Sequence, residues 1–227
     1  MKVSIRAGSL DQWIGSILLI GLLEGNYESQ LKQLENILDV DLIIKTLGEK
    51  NFLAKKGEIL SFQLLQANPQ KLLIAGLGQP EKLLINDIRN TASKAARASQ
   101  GSDGKLGIIF PWETFSPSVI AKNVGEAIRL STYNDQRFRS NPDPRKFPNE
   151  VELIGIPEEG NNLIEQINPI CSGVELAREL VGAPPNNLTP TELANQALQV
   201  AKEFKLSSKI LNREDCLKKG MGSYLAV

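Results

Sequence analysis

The regular alternation of short apolar runs with helically spaced ones most constrains what this chain can fold into. Ile17 to Leu23, Lys71 to Ala75 and Leu106 to Phe110 are apolar almost without a break, and each has the length of a strand. A strand that is apolar on both faces must be covered on both, the situation of a parallel sheet between helical layers. Between these runs the spacing changes. Tyr27 to Val40 carries Leu31, Leu34, Ile37 and Leu38 at the three- and four-residue steps of an amphipathic helix. Leu84, Ile85, Ile88, Ala92, Ala95 and Ala96 share one helical face. Ser116 is placed to cap a helix that has Pro117 first and runs to about Leu130. Met1 to Arg6, Ile59 to Leu65 and Val151 to Ile156 read as further strands, and the proline-rich Arg139 to Glu150 reads as a loop inside a domain. The pattern predicts an α/β layer structure with a largely parallel sheet.

The last quarter of the chain has its own punctuation. A helix is expected through Ile170, Val174, Ala177 and Val181, stopping at Gly182-Ala183-Pro184-Pro185-Asn186-Asn187. Thr189, Pro190 and Glu192 form a capping-box pattern opening a helix whose buried stripe is Leu193, Ala197, Val200 and Phe204. A strand at Lys209-Ile210-Leu211 and a short helix ending at Gly220 follow. The final run, Ser223 to Val227, reads as a strand opening a fresh unit, so the chain is expected to be truncated.

Composition excludes several chemistries. No histidine occurs among the 227 residues, which rules out a Ser-His-Asp triad, a Cys-His pair or a His-ligated zinc site within the chain. Lys plus Arg and Asp plus Glu both total 26, so no net charge favours nucleic acid or an acidic membrane. Cys171 and Cys216 form no CxxC pair and read as small hydrophobes in a reducing compartment. With no targeting signal and no apolar run near the ~20 residues of a membrane span, a soluble cytoplasmic protein is expected.

Local motifs resolve to structural roles. Gly76-Leu77-Gly78 invites a phosphate-binding reading, but Glu81 stands where the fingerprint needs its third glycine, so a strand-ending turn is expected. The basic cluster Arg137, Arg139, Arg145 and Lys146, with Tyr133 and Phe138 nearby, is interrupted by Asp135 and Asp143 and reads as a solvated loop. Glu158-Glu159 and Glu214-Asp215 read as surface charge, because adjacent side chains diverge. No residue of the chain is assigned a catalytic, cofactor-binding or metal-binding role.

Ala177-Arg178-Glu179-Leu180-Val181-Gly182-Ala183-Pro184-Pro185-Asn186-Asn187-Leu188-Thr189-Pro190 resembles the junction ARDLVN-x-P-x-N-x-x-T-P of the leucine aminopeptidase (cytosol aminopeptidase) family, with Gly182 where the pattern has Asn. Lys219 to Val227 resembles the family's GMG-x-x-LAV segment. Leu73 to Gly78 and Glu126 to Tyr133 match its amino-terminal domain less specifically. The resemblance implies a macrodomain-like amino-terminal α/β domain at 1–168, serving assembly, a connecting helix at 169–182 and an incomplete start of the peptidase domain at 183–227. It further implies a cytosolic, commonly hexameric exopeptidase acting on peptides. Two divalent metals, zinc or manganese, would be held by Asp, Glu and Lys side chains in that family's catalytic domain. The motifs VGKG-x-x-FDSGG and NTDAEGR that carry that chemistry do not occur here, so no metal is expected to bind and no activity is expected of this chain alone. Two other readings are a free-standing macrodomain-like module for ADP-ribose-like ligands or nucleic acid, with Arg137 to Lys146 as its surface, and an oligomerisation fragment. A nucleic-acid partner is the less expected of these, and no membrane partner is expected.

Overall fold

The computed structural model describes residues 1–8, 10, 13–25, 27–66, 68–101, 104–144, 146–156 and 161–226, with only the backbone of residues 161 and 162. It divides into two compact units, Met1–Leu176 and Ala177–Val227. Among the described residues the first unit holds one six-stranded sheet in the order β1-β6-β5-β2-β4-β3. Its strands are β1 (Lys2–Arg6), β2 (Ile17–Leu23), β3 (Ile59–Gln63), β4 (Lys71–Gly78), β5 (Lys105–Ile109) and β6 (Glu150–Ile154). All neighbours are parallel except β3, an edge strand that runs antiparallel to β4.

The central strand shows why its sequence has no polar face. Leu19 of β2 lies between Leu73 of β4 and Ile108 of β5, and all seven β2 residues are buried. Ile17, Leu19 and Leu23 enter a core with α3 (Ile85–Ala98), α4 (Pro117–Thr132) and the first part of α5 (Asn161–Gly182). Leu18, Ile20 and Leu22 enter a second core with α1 (Tyr27–Lys32) and α2 (Val40–Glu49). Each large aliphatic side chain placed this way contributes about 1.5–3 kcal/mol relative to exposure.

Several elements differ from the sequence expectation. The helix expected over Tyr27 to Val40 stops at Lys32 and continues as tight turns, in which the Leu34 and Ile37 N–H groups donate to the carbonyls of Leu31 and Leu34. Successive turns keep Leu31, Leu34 and Leu38 buried, so the spacing is satisfied without one continuous helix. The Asp39 carboxylate then accepts the Leu42 N–H at 3.1 Å and starts α2, which the spacing had not separated. Ser116 does precede α4, but its hydroxyl meets that of Ser118 at 2.8 Å instead of capping the backbone. The helix expected through Ile170 and Val181 starts earlier, at Asn161, and ends at Gly182 as expected. Its buried contacts are Ile167 and Cys171, while Ile170 and Val181 are exposed.

The second unit is helical: α6 (Pro190–Glu203), α7 (Arg213–Lys218) and α8 (Gly222–Leu225). Thr189 accepts the Glu192 N–H at 3.2 Å, as a cap should. The Glu192 carboxylate instead takes the carboxamides of Asn195 and Gln196, so half of the expected box forms. A reciprocal box forms at Asn212 and Asp215. Leu193, Ala197 and Phe204 are exposed and Val200 is half-buried, and Ala201 is the only buried hydrophobic residue among those described in this unit. Lys209 to Leu211 forms no strand, and the terminal run makes the helical turn α8, with Val227 outside the described residues. Both runs have strand character, but a strand needs a neighbour to take its backbone hydrogen bonds.

Candidate functional site

The glycines of Gly76-Leu77-Gly78 belong to β4 and not to a turn after it. The segment from Ala54 to Glu58 lies along them: Gly76 donates to the Glu58 carbonyl at 2.8 Å and Gly78 to the Ala54 carbonyl at 2.8 Å. A Cβ on Gly76 would collide with the Lys55 carbonyl and the Ala54 backbone, so the glycine serves close packing of two backbones. Gly78 has φ 88°, which lets the strand end there.

Two arginines of the basic loop are paired with carboxylates of the same loop. The Arg137 guanidinium donates to both carboxylate oxygens of Asp135 at 2.9 and 2.7 Å, and lies 5.2 Å from the centre of the Phe138 ring. The Arg137 side chain, then its backbone N–H, hold the Asp135 carboxyl at about 2, well below the ordinary value. Arg139 is 3.9 Å from Asp143, and Arg145 lies outside the described residues. Such pairing offsets the charge that Arg137 and Arg139 would offer a phosphate backbone.

The acidic candidates do not converge. Glu158-Glu159 lies outside the described residues, and Asp215 is occupied as a cap of α7, where Glu214 is exposed. Cys171 is buried, and burial pushes its thiol up to about 11, where it is inert. Cys216 is half-buried, and neither cysteine is in a disulfide. Among the described residues no three His, Cys, Asp or Glu side chains are grouped to hold a metal ion.

A crevice does open at the carboxyl ends of β2, β5 and β6. The chain leaves β2 toward α1 on one face of the sheet and leaves the adjacent β5 toward α4 on the other. Diverging connections between neighbouring parallel strands part the loops and leave a depression, the usual ligand position of open α/β sheets. The cavity is about 430 Å³, with Ile20, Ile109 and Ile154 beneath, Phe110 to Glu113 on one side and Gln30 to Ile37 on the other. Trp112 is held by its indole N–H, which donates to the Ile154 carbonyl at 2.7 Å. Sequence reasoning missed this site, whose one linear signal is Gln30, Gln33 and Asn36 recurring every three residues.

Two family models match the chain in order. "Cytosol aminopeptidase family, N-terminal domain" covers residues 19–142, and "Cytosol aminopeptidase family, catalytic domain" covers residues 175–227. The chain belongs to the cytosol aminopeptidase family. The junction from Ala177 to Pro190 and the segment from Lys219 to Val227 both lie in the stretch matched to that family's catalytic domain. A "Probable cytosol aminopeptidase" of Prochlorococcus marinus is 51% identical over 227 residues, all of this chain and 46% of that protein. The chain thus spans about half the length of the curated relatives it matches. A tomato leucine aminopeptidase mutant shares the fold, with a TM-score of 0.81 at 23% identity over 100% of this chain and 47% of its own. The bottromycin maturation enzyme BotP in complex with Mn has a TM-score of 0.62 at 18% identity, covering 83% of this chain and 36% of its own. Among the described residues no helix is long and apolar enough to cross a membrane.

Proposed function

We propose that this chain is the amino-terminal portion of a metal-dependent leucyl aminopeptidase that removes amino-terminal residues from peptides in the cytoplasm. The observation that carries this reading is the ordered pair of family matches, an N-terminal domain followed by the opening of a catalytic domain. In this reading 1–168 is the amino-terminal domain, 169–182 the connecting helix and 183–227 the start of the peptidase domain. The complete enzyme is a homo-oligomer, a hexamer as in the family. Two divalent metals, zinc or manganese, would activate water and polarise the scissile carbonyl when bound. BotP's complex with Mn supports a divalent metal in a protein of related fold.

The residues described here do not fit such a centre. They group no three carboxylate, thiol or imidazole side chains, and the chain has no histidine. The ligands are assigned to the part of the relatives' length that this chain does not span, and the 227 residues alone are inactive. The test is hydrolysis of leucine p-nitroanilide with zinc, manganese or cobalt added. The pure chain is expected to show no turnover, and the chain joined to the remainder of a relative's catalytic domain is expected to show metal-dependent turnover. Metal-dependent turnover by the pure 227-residue protein would overturn the assignment.

A further inference from the structure

We propose that the crevice at the carboxyl ends of β2, β5 and β6 binds a small uncharged ligand presenting an amide-type edge, an N–H beside a C=O, on a partly apolar body. The volume of about 430 Å³ lies in the range of about 300–1,000 Å³ typical of small-molecule sites. The floor is aliphatic, and Trp112 offers only its ring, because its N–H is already spent on Ile154. Gln30, Gln33 and Asn36 line the opposite wall. Gln30 is turned inward to its own backbone, its Oε1 accepting the Leu23 N–H at 3.3 Å. Gln33 and Asn36 are exposed, and their carboxamides make no hydrogen bond among the described residues. A carboxamide carries a donor and an acceptor side by side, the complement of an amide edge.

Charge narrows the class. No Lys or Arg lines the crevice among the described residues, and Glu113 at its rim is the only formal charge there. A negative rim without a cation opposes a phosphate or pyrophosphate, so this crevice is not built for ADP-ribose-like ligands. A nucleobase and the amide of a short apolar peptide both present the required edge. The lining spans Gly8 to Gly155, so the inference concerns the first unit and stands apart from the proposed peptidase chemistry.

The chain has two tryptophans, and Trp13 does not line the crevice: it lies in the core beneath it, against Gly15 and Gly107 with its N–H on Glu152. Trp13→Phe therefore makes Trp112 the sole indole reporter. Adenosine, uridine, N-acetylleucinamide and ADP-ribose are titrated against its emission, with calorimetry on the unsubstituted chain as the second measurement. A saturable response to a nucleoside or to the capped amide is expected, and whichever saturates names the source. Replacing both Gln33 and Asn36 by Ala, at exposed positions, is expected to weaken that binding roughly tenfold. No saturation by any neutral probe at millimolar concentration would overturn the proposal. So would ADP-ribose binding more tightly than adenosine, or affinity unchanged in the double variant.

Discussion

The Arg129 guanidinium on α4 grips the Glu175 carboxylate on α5 with two hydrogen bonds, Nε to Oε1 at 2.8 Å and Nη2 to Oε2 at 2.6 Å. Its remaining donors reach the Asn168 side chain at 3.0 Å, the Asn168 carbonyl at 3.3 Å and the Ser172 hydroxyl at 2.8 Å. Hydrogen bonding to Glu175 raises the Arg129 pKa despite partial burial. Arg129→Ala removes the donor to five acceptor atoms on three residues at a half-buried helix contact and is expected to cost about 2–3 kcal/mol. Glu175→Gln keeps one acceptor and should cost about 1 kcal/mol. Urea unfolding of the two variants checks the order, and equal losses would mean that the pair is not the fastening.

The glycines of β4 and α2 make opposite predictions. At Gly76 a methyl group meets backbone that cannot swing away, so Gly76→Ala is expected to destabilise by about 1–3 kcal/mol. At Gly48, near the end of α2, a Cβ would meet nothing within 4 Å. Gly48→Ala is therefore expected to stabilise by about 0.5–1 kcal/mol through helix propensity. Thermal unfolding of both variants should shift in opposite directions.

Asp135 gives a pH signature. Its carboxyl sits at about 2 in the folded chain, held down first by the Arg137 side chain, against about 3.9 when unfolded. A depressed carboxyl stabilises above the unfolded value, and that contribution is lost as pH falls through the folded one. Wild-type stability should therefore drop between about pH 4 and pH 2 more steeply than that of Asp135→Asn. The pair is exposed enough that salt screens it, so the difference should shrink in molar sodium chloride.

Limited proteolysis should separate the two units. Val181, Gly182 and the stretch from Pro185 to Asn187 are exposed, and the second unit buries a single hydrophobic residue among those described. Ordering each residue still costs about 1–2 kcal/mol of backbone entropy. Subtilisin, which does not require a basic residue, is expected to cut first between Gly182 and Asn187 or beyond, leaving a resistant fragment from the first unit. Mass spectrometry of the first products decides this, and a tail as resistant as the front would contradict it.

The sheet was legible in the sequence because its signal is local. Runs such as Ile17 to Leu23 name their own burial, and Ala92, Ala95 and Ala96 name a helix face whatever packs on it. The family was legible too, since the stretch from Ala177 to Pro190 carries its resemblance in residue order. Spacing failed where two local structures satisfy one pattern: Leu31, Leu34 and Leu38 are buried by a short helix and turns as well as by one helix. It failed again at Leu193 and Phe204, whose apolar stripe finds no covering surface among these residues.

The sequence by itself determined the α/β class, the strands of the front unit with its helices α3 and α4, and the absence of any histidine-based chemistry within these 227 residues. Only the tertiary structure decided the strand order, the role of Gly76 and the crevice between the ends of β2 and β5. These depend on segments far apart in the chain. Gly76 must be glycine because Ala54 and Lys55 return to lie against it, and the crevice exists because neighbouring strands send their connections to opposite faces. Periodicity records which face of an element is buried, and carries no term for what arrives to bury it.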